Sequence, residues 1–136
     1  MATRRNITKQ VARQGAFQVL FALQSNPDAD LDDLIDQVVS ELTEEVDQEY
    51  LHTIVNGVLE QQAELDPVIA QYLSEHWSLG RLTKTDLLIL RIAVYEMKFQ
   101  TNVPNRVALN EALELAKLFS DDKSRRFING VLSNLI

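Results

Sequence analysis

Cysteine is absent from the 136 residues, which excludes a disulfide framework, a thiolate nucleophile and any cysteine-ligated metal site, and suits an intracellular setting. Histidine is scarce. His52 and His76 are the only imidazoles, and neither stands in an H-E-x-x-H or comparable ligand spacing. Four glycines form no P-loop and no G-x-G-x-x-G cradle for a phosphate. No apolar run approaches the roughly 18 residues of a membrane span, and the stretch M-A-T-R-R-N-I-T-K-Q lacks the apolar core of a secretion signal. The carboxylate pairs Asp32-Asp33 and Asp121-Asp122 fall at expected helix starts, where adjacent acids are far more often caps than a general acid and base. Together these absences predict a soluble, cytoplasmic protein with no catalytic residues, metal or cofactor. Binding is the expected activity.

One sign of charge is also missing, by segment. Residues 1–27 contain Arg4, Arg5, Lys9 and Arg13 and no acid, whereas residues 28–80 contain fourteen acids and neither Lys nor Arg. Residues 81–136 carry nine bases and six acids, and the whole chain sums to −7. A net charge of that sign argues against nucleic acid, but a partner feels the local field, which salt confines to about 8–10 Å. Two basic segments folded onto one face would make a positive surface. The acidic run is read first as a solvated face, and second as a dock for a basic protein.

Hydrophobic periodicity predicts an all-α fold of about seven helices with a core of single-domain size. The central helix is expected over residues 85–99, where from Leu87 onward only Arg91, Glu96 and Lys98 are neither apolar nor aromatic. A helix apolar almost all round must be surrounded by others. Lys84, Arg91 and Lys98, at seven-residue spacing, would leave it one basic seam beside Tyr95, and a buried Glu96 would need a partner. Helix one is expected over residues 8–24, and Pro27 should end it with Asp28 available as a cap. Two further helices carry Leu31, Leu34, Ile35, Val38, Val39 and Leu42, then Leu51, Ile54, Val55, Val58 and Leu59. Leu65-Asp66-Pro67 reads as the start of a fourth helix reaching about Trp77, with Asp66 as cap and Pro67 in the first turn. After the central helix, Pro104 opens one that carries Ala108, Ala112, Leu115 and Phe119 inward. The last is capped near Asp121 and buries Phe127, Ile128, Val131, Leu132 and Leu135. The segments Ile54-Val55-Asn56-Gly57-Val58-Leu59 and Phe127-Ile128-Asn129-Gly130-Val131-Leu132 echo one another, each with a mid-helix glycine expected to admit a neighbouring helix.

Helix one carries the main chemical signal. Its aliphatic stripe is Val11, Ala12, Ala16, Val19, Leu20 and Leu23, while Lys9, Gln10, Arg13, Gln14, Phe17, Phe21 and Gln24 fall on another side. Cations among aromatics suit RNA, since Arg and Lys attract phosphate and a ring stacks on an unpaired base. The competing reading has Phe17 and Phe21 packed on a neighbouring helix beside solvated cations, with Phe17 the more core-like of the two.

Three segments in order resemble the NusB family of transcription antitermination factors: A-R-Q-G-A-F-Q-V-L-F-A-L, then L-L-I-L-R-I-A-V-Y-E-M, then V-P-N-R-V-A-L-N-E-A-L-E-L-A-K-L-F followed by S-R-R-F-I-N-G-V-L. The resemblance runs along essentially the whole chain. It implies one NusB-like RNA-binding domain over residues 1–136 made of two packed helical bundles, with subdomains near residues 1–80 and 81–136. It further implies binding of boxA-type single-stranded leader RNA together with NusE, a small-subunit ribosomal protein, within the RNA polymerase antitermination complex that supports ribosomal RNA operon transcription. On the family pattern, Arg4, Arg5, Lys9, Arg13, Gln18, Phe21, Phe119 and Phe127 are the expected RNA-binding residues, and Tyr72 and Asp86 face the protein partner. Phe21 stands where tyrosine is frequent, keeping the stacking face without the hydroxyl, and Lys123 stands where an acid can occur. Two other readings are a helical protein-interaction module without RNA specificity and a NusB-like accessory domain of an RNA methyltransferase. The second requires a catalytic segment beyond Ile136.

Overall fold

The computed structural model describes residues 3–136; Met1 and Ala2, at the head of the basic N-terminal stretch, lie outside the described residues. The described residues form six α-helices: α1 (Arg4–Ser25), α2 (Leu31–Glu41), α3 (Gln48–Gln71), α4 (Lys84–Phe99), α5 (Asn105–Phe119) and α6 (Asp122–Leu132). Short 3-10 turns follow at Leu79–Arg81 and Ser133–Leu135. The chain divides into two compact units, Met1–Asn56 and Gly57–Ile136, with the division inside α3.

In the first unit α1 packs on α2. α1 begins four residues earlier than its periodicity predicts, because the Thr3 hydroxyl accepts from the Asn6 N–H at 3.2 Å and caps the free turn. Its buried arc includes Arg13 and Phe17 as well as Val11, Ala12, Ala16, Val19 and Leu20. Gly15 is buried in that arc, and a β-carbon there would stand 2.7 Å from Leu51 Cδ1, so a larger residue would make the Leu51 side chain shift. The cap of α2 is Asp30, whose carboxylate accepts from the Asp33 N–H at 3.0 Å, and α2 turns Ile35 and Val38 inward. Asp47 caps α3 by accepting from the Tyr50 N–H at 2.9 Å, and its own N–H donates to the Thr8 carbonyl at 3.1 Å.

The second unit holds the rest of α3 with α4, α5 and α6, and α4 packs against both α5 and α6. The expected helix start at Asp66-Pro67 is overturned: α3 runs straight through Pro67 and ends at Gln71, so six helices replace seven. An interior proline forfeits one hydrogen bond and costs about 3 kcal/mol. Against that, Leu65 and Ile69 are fully buried in line with Leu51, Ile54, Val55 and Val58, and each large aliphatic side chain contributes about 1.5–3 kcal/mol on burial. Asp66 is no cap; both its oxygens accept from the Arg91 guanidinium, at 2.8 and 2.9 Å.

That pair also breaks the basic seam expected along α4, because Arg91 is buried on Asp66 while Lys84 and Lys98 remain exposed at the two ends. Every residue from Leu88 to Glu96 is buried, as a surrounded helix requires, and Glu96 is not without a partner. The two echoed glycines part company. A β-carbon on Gly57 would collide with the Tyr95 ring, so this glycine seats α4 against α3, whereas Gly130 is exposed with nothing near it.

Candidate nucleic-acid interface

The first unit carries the cations. Arg4 and Arg5 are exposed on the first turn of α1, Lys9 is half-buried one turn on, and Arg13 is buried at 3% exposure. Arg4 donates from its guanidinium to Glu45, with Nε 2.8 Å from one carboxylate oxygen, and this partner holds the Glu45 carboxyl below its ordinary range. Both side chains are solvated, so the contact is weak and readily exchanged for a stronger anion. Lys9 Nζ lies 4.9 Å from the centre of the Tyr50 ring and the Arg13 guanidinium carbon 5.5 Å from the same centre. Gln18 is half-buried further along α1. Phe21 is 37% exposed and stacks on Phe17, with ring centres 5.8 Å apart, while Phe17 itself is buried. The aromatic pair is therefore divided: one ring belongs to the core and the other is presented.

The second unit contributes a recess of about 260 Å³ lined by Trp77, Arg81, Asp86, Lys123, Ser124 and Phe127, among others. The Trp77 and Phe127 rings are tilted together at 5.9 Å, and the Arg81 guanidinium covers Trp77 at 5.6 Å. Asp86 lines this recess at 7% exposure: its Oδ2 accepts from the Ser124 hydroxyl at 3.1 Å, and its Oδ1 is buried with no hydrogen-bond partner. Burial pushes the Asp86 carboxyl above the ordinary carboxylate range. Hydrogen bonds involving Ser124 and Thr83 oppose the shift and the Asp121 charge adds to it. Asp121, capping α6 through the Ser124 N–H at 2.8 Å, is held below its ordinary range chiefly by that bond. The recess therefore combines aromatic faces, cations and a carboxyl group.

Of the residues expected from the sequence, Asp86 and Phe127 share this recess. Tyr72 and Phe119 do not line it; both are half-buried, at the foot of α3 and the end of α5. Sequence reasoning missed Tyr50, Trp77, Arg81 and Ser124. Trp77 had a usable signal, being the only tryptophan, set next to a break. Tyr50 had none, since its partners lie on another helix. Among the described residues no group of His, Cys, Asp and Glu is arranged to hold a metal, and no helix is long and apolar enough to cross a membrane.

The sequence model of the NusB family matches residues 10–136. The chain is 56% identical to the transcription antitermination protein NusB of Levilactobacillus brevis over 135 residues, covering 96% of this chain and 93% of that protein. It is 46% identical to the protein of the same name from Enterococcus faecalis, covering 96% and 90%. Among solved structures, T. maritima NusB superposes with a TM-score of 0.81 at 32% identity, covering 99% of this chain and 92% of that one. A crystal structure of antitermination factors NusB and NusE in complex with dsRNA is similar at a TM-score of 0.82 and 27% identity, covering 98% and 97%.

Proposed function

Because the chain belongs to the NusB family, we propose that it acts in transcription antitermination by binding boxA-type leader RNA jointly with NusE, as part of the RNA polymerase complex on ribosomal RNA operons. The observation that carries the RNA-binding role is α1, a helix without a single acid of its own, where Arg4, Arg5 and Lys9 precede the presented ring of Phe21. Arg4, Arg5 and Lys9 neutralise phosphates, Phe21 stacks on a base, and half-buried Gln18 carries an amide suited to a base edge. Arg13, being buried, acts from behind this edge. Phe127 and Phe119 offer further aromatic faces in the other unit. Tyr72 and Asp86 serve the NusE side. The place of Asp86 in the recess, beside Trp77, Arg81 and Phe127, supports that role. On this reading the protein is a cytoplasmic regulator that binds and does not catalyse.

The test is a titration of labelled boxA-type RNA, single-stranded and duplex, against a scrambled control, with and without NusE, at two salt concentrations. Selective binding that tightens with NusE and weakens with salt is the expected result. NusE binding without discrimination between boxA and scrambled RNA would instead favour a protein-interaction module, with the exposed acids Asp32, Asp33 and Asp36 of α2 as its face.

A further inference from the structure

We infer that Tyr50 is the positioning residue of the α1 edge: its ring fixes the Lys9 ammonium, with Arg13 as the inner brace, in the place where an RNA phosphate is met. The inference rests on the RNA-binding role proposed above. Lys9 and Arg13 are four residues apart on α1, where two like charges repel and a lysine head group would otherwise swing away. Both charged groups lie within 5.5 Å of the centre of one aromatic ring, inside the roughly 6 Å over which a cation is drawn to the negative face of a π system. The ring is itself immobilised, at 7% exposure. Its backbone is tied at the first turn of α3 by Asp47, which bonds both the Tyr50 N–H and the Thr8 carbonyl, next to Lys9. The ring, the α3 cap and the Lys9 turn of α1 thus form one linked unit.

The two cations are not equivalent. Arg13 is almost wholly enclosed, so its charge reaches a ligand only through the field it adds, whereas half-buried Lys9 presents its ammonium. Ordering a free lysine side chain on a phosphate carries an entropic cost, and a lysine already held by a ring has largely met it before the RNA arrives. Arg4 differs again, since it must leave the Glu45 carboxylate to engage a phosphate. Lys9 is the preorganised cation of the edge.

The experiment compares wild type, Tyr50→Phe, Tyr50→Leu, Lys9→Ala and the Lys9→Ala/Tyr50→Leu double variant as full chains, titrated with boxA-type RNA and NusE. In parallel, the proton shifts of the Lys9 side chain are recorded by NMR without RNA. Phe keeps the ring and should bind within about twofold of wild type, while Leu should weaken binding by about three- to tenfold, the scale of ordering one free lysine side chain on binding. The loss should vanish in the Lys9→Ala background, which general damage to packing would not produce. The Lys9 ε-protons should be shifted upfield by the ring in wild type and Tyr50→Phe, and revert in Tyr50→Leu. Unchanged affinity in folded Tyr50→Leu, or a loss that persists without Lys9, overturns the inference. Absence of the upfield shift in wild type overturns it even if the Leu variant fails to fold. Failure of the wild type to bind RNA while that shift is present would instead overturn the RNA-binding role, and with it the consequence drawn here for phosphate contact.

Discussion

Gly57 and Gly130 occupy the same place in two copies of one six-residue pattern, yet their surroundings predict opposite responses to alanine. A methyl at Gly57 overlaps the buried Tyr95 ring, so Gly57→Ala should destabilise by about 1–3 kcal/mol, whereas open space at Gly130 leaves only the gain in helix propensity, about 0.5–1 kcal/mol of stabilisation for Gly130→Ala. Denaturant melts of both variants check the pair. Asp86 makes a prediction in pH. Because burial raises its pKa in the folded state, the contribution to stability is full below the unfolded pKa and is lost as pH rises through the raised value. Asp86→Asn should therefore melt higher than wild type at neutral pH, with the advantage shrinking as pH falls into the ordinary carboxylate range. The same substitution should weaken NusE binding if the charge of Asp86 in the recess is what NusE meets. Asp121 acts in the reverse sense, since a depressed carboxyl stabilises above its unfolded pKa and loses that contribution as pH falls through its folded value.

At the scale of elements, the sequence placed the core helices correctly because a face that repeats every three to four residues is a local property. The centres of the expected stripes are buried, Ile35 and Val38 in α2, Ala108, Ala112 and Leu115 in α5, and Ile128, Val131 and Leu132 in α6, while Leu31, Leu34, Val39, Leu42, Phe119, Phe127 and Leu135 are only half-buried; the burial of α4 from Leu88 to Glu96 followed from its nearly continuous apolar run. The one element wrongly divided was α3. Local rules put a helix start at Asp66-Pro67, but the competing term is tertiary: burial of Leu65 and Ile69 and the Arg91 pair outweigh the single missing bond. Two measurements follow. Pro67→Ala restores a donor in mid-helix and should stabilise by about 1–3 kcal/mol, read from chemical denaturation. Arg91→Ala strands the Asp66 carboxylate in a partly buried place and should cost about 3 kcal/mol, with Asp66→Asn recovering part of it in the double variant.

For the whole molecule, the proposed edge predicts how RNA affinity responds to salt. Three phosphate-contacting cations, Arg4, Arg5 and Lys9, imply a slope of log affinity against log salt of about −2 from this edge on a single strand. Arg5→Ala should reduce it by about 0.7 and weaken binding uniformly across sequences without lowering the melting temperature, since Arg5 is exposed. A chain with net charge −7 can nevertheless present such an edge because its signs are segregated along the sequence and screening keeps each field local. The sequence by itself determined the all-helical class, the family, the segregation of charge and most of the apolar faces, because composition, periodicity and ordered motifs are written in neighbouring residues. Only the tertiary structure decided which cations remain presented and which are taken up. Arg91 goes to Asp66, Arg13 is enclosed above Tyr50, and Asp86 is buried in the recess wall. A side chain's charge is local, but its solvation and its partner belong to elements far away in the chain.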